Sequence, residues 1–261
     1  MKRILVTGAG GQLGLTLQEL ALNYPELSFD FKTSDKLDIT DKAMLADIFR
    51  DNQYQYCINC AAYTNVEEAE KNPEKSYEVN AEGVKNLAEV CKENKVILIH
   101  ISTDYVFDGE KDSPYLPGDE PNPINEYGRS KLQGERYIQD IMDGFYIVRT
   151  SWLYSKKYGK NFYRTILEKA KKGETLKVTD AQIGCPTNAV SLSRFLLEEI
   201  IQKAPSYGIY HFTDGEVMSW YGFAQQILGE YGLENSTKLV ADKNYCTFVE
   251  RPKNSELKSQ F

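Results

Sequence analysis

A doubly wound α/β fold, a parallel sheet covered by helices on both faces, is what this sequence predicts. Three observations predict it. Short apolar runs alternate with helical periodicity through the first two-thirds of the chain. A glycine-rich turn, Gly8-Ala9-Gly10-Gly11-Gln12-Leu13-Gly14, joins the first run to the first helix. The run at 96–102 is apolar almost without a break, as a strand buried on both faces must be.

The elements follow in order. Residues 3–7 form the first strand, and 12–23 a helix with Leu13, Leu17 and Leu20 on one face. The second strand is 27–32. Thr40 and Asp41, both good caps, open a helix at 43–50. The third strand is 56–61, followed by one long helix at 73–93 and the fourth strand at 96–102. A loop rich in Pro, Gly and Asp spans 109–123 and leads into a helix carrying Tyr127 and Lys131, then the strand 145–149. Past Arg149 the rhythm loosens into helices at 161–172, 191–203 and 219–231, a short strand at 209–212, and a tail with few apolar residues. The sequence thus reads as a Rossmann-type doubly wound parallel sheet with a small C-terminal substrate-binding α/β domain. The expected division puts 1–150, with about 176–212, in an NAD(P)-binding domain, and 151–175 with 213–261 in the smaller one.

Composition excludes several classes of function. The chain has 261 residues, 41% apolar and 26% charged, which is ordinary for a soluble globular protein. With a net charge of -7 and no dominant basic cluster, no nucleic-acid partner is expected. Lys169-Ala170-Lys171-Lys172-Gly173 reads as the cation-rich end of a helix closed by glycine. No apolar run approaches the ~20 residues needed to cross a bilayer, so no membrane partner is expected. Met1-Lys2-Arg3-Ile4-Leu5-Val6 turns into glycine too early for a signal peptide. The expected location is cytoplasmic. Five cysteines, an odd count, fit free thiols in a reducing compartment. Cys57 and Cys60 resemble a redox C-x-x-C, but on a strand residues three apart face opposite ways, which is poor disulfide geometry. His100 and His211 are the only histidines, and no Cys/His cluster suggests zinc.

The chemistry-bearing residues converge on one edge of the sheet. Gly8, Gly11 and Gly14 allow a tight turn and let backbone N–H groups and the helix N-terminus approach a pyrophosphate. After the second strand, Thr33 stands roughly where NAD-selective sites carry an acid, flanked by Lys32 and Lys36. That leaves room for a 2′-phosphate, so the expected cofactor is NADPH or NADH. Asp38 and Ile39 lie where the next loop would flank the adenine. Thr103 ends the fourth strand and Tyr127 begins the next helix, with Lys131 one turn on, sharing its face. Such a set suits carbonyl reduction: Tyr127 donates a proton, Lys131 lowers the phenol's pKa and holds the nicotinamide ribose, and Thr103 orients the carbonyl.

Thr7-Gly8-x-x-Gly11-x-x-Gly14, Asn59-x-Ala61-Ala62, Ser102-Thr103-Asp104 and Tyr127-x-x-x-Lys131 together resemble the extended short-chain dehydrogenase/reductase superfamily. More narrowly, the chain resembles the dTDP-4-dehydrorhamnose reductase family. That likeness rests on Leu37-Asp38-Ile39-Thr40-Asp41, Ala61-Ala62-Tyr63-Thr64-x-Val66, Ile101 to Gly109, Arg149-Thr150-Ser151-Trp152-Leu153-Tyr154, Gly184-x-Pro186-Thr187, Ser219-Trp220-Tyr221 and Arg251-Pro252-x-x-Ser255-x-Leu257. The resemblance implies reduction of the 4-keto group of a dTDP-sugar. It implies pyrophosphate contacts at Gly8, Gly11, Gln12 and Leu13, adenine contacts at Asp38 and Ile39, and cofactor lining by Ala62, Tyr63, Thr64, Tyr127 and Lys131. Thr103, Asp104, Tyr127 and Trp152 would hold the deoxysugar.

The departures carry expectations of their own. Some dimers of that family bridge glutamates with magnesium; Thr16 and Val190 stand at the matching positions, so no metal is expected. Relatives usually continue past Arg251-Pro252 into an amphipathic helix, whereas this sequence stops at Phe261. The expected consequence is a looser substrate pocket. A monomer or homodimer is expected. Two alternatives stand beside the leading reading: reduction of another nucleotide keto-sugar, and a non-catalytic NADP-binding regulatory subunit resembling the β-subunit of methionine adenosyltransferase.

Overall fold

Six parallel strands form the central sheet, and the order in which they pair determines where a ligand can sit. The computed structural model describes residues 1–242 and 247–260, so Cys246 and Phe261 lie outside the described residues. The chain runs β1 (Lys2–Thr7), α1 (Gln12–Ala21), β2 (Leu27–Phe31), α2 (Lys42–Arg50), β3 (Tyr56–Asn59), α3 (Val66–Lys71), α4 (Pro73–Tyr77), α5 (Gly83–Glu93), β4 (Ile97–Thr103), α6 (Glu126–Ile141) and β5 (Phe145–Thr150). It continues through β6 (Leu153–Tyr154), α7 (Phe162–Lys171), β7 (Leu176–Val178), β8 (Ile183–Gly184), β9 (Thr187–Asn188), α8 (Ala189–Arg194), β10 (Gly208–His211), β11 (Met218–Ser219), α9 (Trp220–Glu230) and β12 (Leu239–Ala241).

The sheet order is β10-β5-β4-β3-β1-β2. It reverses direction at β1, next to β3, and that switch point opens a crevice at the carboxyl ends of the strands. Alternate residues of β4 explain its unbroken apolar run. Leu98 packs into the layer of α2, α5 and α6, and Ile99 into the opposite layer, where α1 and α8 contribute Leu13, Leu17 and Leu192. Both layers are apolar, so no position on β4 can be polar without a partner in the interior.

The predicted elements appear with local differences. The helix expected over 73–93 is continuous but contains a π-helical turn at Glu78–Glu82. There Asn80 reaches across to accept from the Tyr63 N–H (2.8 Å) and to donate to the Tyr63 carbonyl (2.9 Å) and Ser130 Oγ (3.1 Å). Gly134 of α6 packs on the same turn, where a Cβ would lie 2.2 Å from the Asn80 carbonyl oxygen. α3 has only Ala69 buried, so no apolar periodicity announces it in the sequence. Asn65 caps it by accepting from the Glu68 N–H.

The second layer of the molecule is small. α7 and α9 pack Tyr163, Ile166, Phe223 and Ile227 into a separate core with Leu176 and Val178 of β7. β7, expected with the large sheet, pairs instead with β12 in parallel. Three residues with only two apolar side chains cannot signal which sheet they join. The apolar-poor tail also has a fixed course. Leu257 pairs with Tyr115 and is buried beside Val106, Phe107 and Leu132, and Asn125 Nδ2 donates to the Glu250 carbonyl (3.0 Å). No helix among the described residues is long and apolar enough to cross a membrane.

Candidate active site

The carboxyl ends of β1, β3, β4 and β5 open onto a cavity of about 530 Å³, closed on the far side by the smaller layer. Its floor is set by the glycine turn. Gly8 has φ +63°, and a Cβ there would lie 2.5 Å from the Ala61 amide nitrogen. A Cβ on Gly14 would lie 2.5 Å from the Ala9 Cα. These two glycines are therefore required by close backbone approach as well as by turn geometry. α1 begins at this turn with Gly11 as its N-cap and no side-chain cap, so its first-turn N–H groups are left for an anion. Gln12 spans to the opposite wall, donating to the Leu153 carbonyl (3.0 Å) and accepting from Asn161 Nδ2 (3.1 Å).

Of the residues singled out in the sequence, Gly11, Gln12, Leu13, Ala62, Thr64, Thr103, Asp104, Tyr127, Lys131 and Trp152 line this one cavity. Gly8, Asp38, Ile39 and Tyr63 do not line it. Gly8 lies beneath the turn. The Ile39 side chain is buried, in the space that Gly83 leaves open: a Cβ on Gly83 would lie 2.8 Å from Ile39 Cγ1. Asp38 is exposed and accepts from the Thr40 N–H (2.9 Å). Tyr63 spends both backbone groups on Asn80. Lys32 is ion-paired with Asp30 at 3.0 Å, and the Thr33 hydroxyl donates to Asp35.

Tyr127 sits in the first turn of α6. Asn125 fixes that start by accepting from the Gly128 N–H (2.9 Å). The Tyr127 hydroxyl lies near enough to Thr103 for that residue to lower its pKa slightly, and its ring packs edge-on to Tyr105 with centroids 5.7 Å apart. Burial raises the phenol's pKa above the usual tyrosine value, and the Thr103 contact only partly offsets this. Thr103 Oγ1 donates to Asp104 Oδ1 (3.0 Å), and Ser151 donates to Asp104 Oδ2 (2.9 Å). Burial lifts Asp104 to about 6, against the lowering effect of hydrogen bonds from Ser255, Ser151 and Thr103.

Lys131 departs from the sequence reading. Its Nζ is 2.7 Å from the Ile101 carbonyl and 3.1 Å from His100 Nε2. One helical turn places the two residues on one face, but the Lys131 side chain ends on β4, while the Tyr127 ring packs on Tyr105. The phenol's pKa is moved upward by burial, where the sequence reading expected a lowering. Burial instead lowers Lys131 itself to about 8.

Gly128 is the tightest point of the motif. A Cβ there would lie 2.1 Å from the Tyr105 carbonyl oxygen. Gly128→Ala must push α6 away from Tyr105 and carry Tyr127 with it. The expected result is a loss of ~1–3 kcal/mol of stability together with reduced turnover. Denaturant midpoints and kcat on the same preparation check it, and wild-type values for both would refute the packing argument.

Trp152 has φ +47°, and its ring stacks on Trp220 at 3.5 Å with 5° between planes. The absence of a side chain at Gly184 makes room, since a Cβ there would lie 2.6 Å from Trp152 Cε2. Trp220 lines both the main cavity and a neighbouring one of about 330 Å³ that carries Lys169, Lys177 and Arg251. Sequence reasoning gave no role to three further residues at the site. Thr150 lines the cavity with a buried hydroxyl that has no partner among the described residues. Asn59 and His100 form a buried chain behind Lys131. Polar residues inside otherwise apolar strands were the available signal. Among the described residues no group of three or more His, Cys, Asp or Glu could hold a metal. Thr16 bonds its own helix, donating to the Gln12 carbonyl (2.7 Å), and Val190 is partly exposed.

Known proteins resemble the chain over its whole length. The family described as RmlD substrate binding domain matches residues 1–261. A dTDP-4-dehydrorhamnose reductase of Aggregatibacter actinomycetemcomitans is 39% identical over 98% of this chain and 90% of its own. A dTDP-4-keto-6-deoxy-D-glucose reductase of Streptomyces niveus is 38% identical over 85% of this chain and 76% of its own. The crystal structure of a dTDP-4-dehydrorhamnose reductase from Bacillus anthracis in complex with NADP superposes with TM-score 0.93 at 36% identity, covering 100% of this chain and 92% of that one. With a cavity built on an uncapped helix N-terminus and a Thr103–Tyr127 contact, and with likeness from end to end, the chain belongs to the RmlD family, that of the dTDP-4-dehydrorhamnose reductases.

Proposed function

We propose that this protein reduces the 4-keto group of dTDP-4-dehydro-L-rhamnose, using NADPH, to give dTDP-L-rhamnose. The observation that carries this reading is the Tyr127 hydroxyl. Its pKa is raised by burial, so it carries its proton at neutral pH, and it stands with Thr103 on the wall of a cavity whose floor is an uncapped helix N-terminus.

The glycine turn fits a dinucleotide, because Cβ atoms on Gly8 and Gly14 would collide with backbone and the first-turn N–H groups of α1 lack a side-chain cap. Gly11, Gln12 and Leu13 would hold the pyrophosphate through backbone groups, with Ala62, Thr64 and Lys131 further along the cavity. The bound cofactor supplies the hydride. Tyr127 gives its Oη proton to the carbonyl oxygen as negative charge develops there. Thr103 would orient that oxygen by turning to it the hydroxyl proton that it otherwise donates to Asp104 at 3.0 Å. Thr150 brings a hydroxyl whose hydrogen bonding is unmet in the protein. Trp152 and Trp220 offer flat apolar faces for the deoxysugar. In this division of labour residues 1–150 with α8 and β10 hold the cofactor, and 151–178 with 213–260 hold the sugar nucleotide.

The test is cofactor oxidation by purified protein given dTDP-4-dehydro-L-rhamnose, with NADPH and NADH compared. Absence of oxidation in a sample of native circular dichroism would overturn the reading. A second reading, a different dTDP keto-sugar, draws support from the Streptomyces niveus relative. Turnover ranked across dTDP keto-sugars decides between them.

A further inference from the structure

Behind Lys131 runs a buried hydrogen-bond chain whose donors and acceptors can be assigned one by one. It starts at β1. Thr7 Oγ1 donates to Asn59 Oδ1 at 2.6 Å, and the Ala61 backbone N–H donates to the same oxygen at 3.1 Å. A backbone N–H can only donate, so the atom facing it must be the amide oxygen. The amide nitrogen is thereby turned toward His100, 3.0 Å from Nδ1. That nitrogen also only donates, so Nδ1 must accept. His100 is fully buried and held neutral by burial and by Lys131. A neutral imidazole that accepts at Nδ1 carries its proton on Nε2. The Nε2–H therefore points at Lys131 Nζ, 3.1 Å away.

An ammonium has three donors and no acceptor, whereas an amine has a lone pair. With Lys131 charged, the chain contains one donor facing another, either at Nε2 and Nζ or, with the imidazole proton moved, at Nδ1 and the Asn59 amide. With Lys131 uncharged every bond closes, and the amine still donates to the Ile101 carbonyl at 2.7 Å. We propose that Asn59 and His100 are positioning residues that hold Lys131 toward its uncharged amine form, setting the pH at which this group of the proposed active site gains its proton.

The other titratable groups facing Lys131 pull the opposite way. Glu135 lies one turn on along α6 and favours the cation, but its carboxylate is committed to Arg149 and Ser102. The Cys60 thiol just beyond β3 acts in the same sense, and burial keeps that thiol protonated. Tyr127, one turn back, is likewise kept protonated. Burial of Lys131 opposes its charge in concert with the chain.

The proposal rests on Lys131 belonging to the site described above, but its test reads protons and not turnover. The protein has two histidines, so nitrogen-15 histidine spectra can be assigned with a His100→Gln sample. Above the titration midpoint of Lys131, His100 is expected as the Nε2–H tautomer. Lysine carbon-13 spectra, with the Lys131 signal identified by its loss in Lys131→Met, give the midpoint. In Asn59→Asp a carboxylate can accept from Nδ1–H, Nε2 becomes an acceptor for the ammonium, and the midpoint should rise by ~1 unit or more. Asn59→Ala removes the amide donor without adding charge and should raise it by less. An Nδ1–H tautomer in the wild type above the midpoint overturns the proposal. So does an unmoved midpoint in both folded variants. If neither variant folds, the wild-type tautomer decides alone. A protein that shows these protons but reduces no keto-sugar would sink the reductase reading and leave the chain standing.

Discussion

Tyr127→Phe is expected to lower kcat by about 10²–10⁴-fold while leaving the fold and cofactor affinity in place. The substitution removes one hydroxyl. The ring keeps its edge-on packing against Tyr105, and Thr103 keeps its bond to Asp104 and its role as acceptor for the Tyr105 N–H at 3.2 Å. The glycine turn of the cavity floor follows β1, two strands from β4, and keeps its contacts. The lost group is a proton donor at the Thr103 end of the cavity whose pKa burial raises above the usual tyrosine value. Steady-state turnover with cofactor titration by fluorescence checks both halves. Turnover within about tenfold of wild type would remove Tyr127 from the chemistry. Loss of cofactor binding in parallel would show that the phenol is structural.

Glu135→Leu is expected to destabilise the protein by ~3–5 kcal/mol. Arg149 is among the largest fully buried side chains, and its guanidinium meets Glu135 at three distances, Nε to Oε1 3.0 Å, Nε to Oε2 3.2 Å and Nη2 to Oε2 2.6 Å. Ser102 donates to the same carboxylate at 2.5 Å, and the guanidinium lies 5.1 Å from the Phe107 ring centroid. Removing the carboxylate leaves a buried cation with the Pro117 carbonyl, 3.4 Å from Nη1, as an acceptor. Removing both charges in Glu135→Leu with Arg149→Met restores an apolar match and should recover most of the loss. Urea denaturation of both single variants and the double one measures the coupling. Near-wild-type stability in Glu135→Leu would show that Arg149 finds water instead. Through Ser102 the pair joins β4, β5 and α6, the elements that carry Thr103, Thr150 and Lys131.

The large sheet was legible because its signals are local. Each strand of the first five carries its own apolar run, and α1 carries Leu13, Leu17 and Leu20 at helical spacing. α3 was not legible, because one buried alanine makes no period. β7 was not legible as a strand, and its segment was assigned to the larger domain, since a three-residue run carries no mark of a partner far along the chain. The π-helical turn at Glu78–Glu82 was equally silent. It answers to the close approach of Gly134 and to Asn80's bonds with Tyr63, both set by packing and not by the local sequence.

The same division holds at the site. By itself the sequence determined the glycine turn, the strand-end Thr103 and the Tyr127 and Lys131 pair, because backbone turn chemistry, strand alternation and helical spacing are properties of neighbouring residues. Only the tertiary structure decided what each of them touches. Lys131 meets His100 and Ile101 on β4 and not the Tyr127 phenol, and Asn59 is turned by the Ala61 N–H so that its amide nitrogen faces His100. Trp152 meets Trp220 across the cavity, and Arg149 meets Glu135 in the interior. Those partnerships come from the register of β3 against β4 and β4 against β5 and from the docking of α6 and α9. Direction of charge and proton depends on such distances to the tenth of an ångström, and spacing along a chain does not contain them.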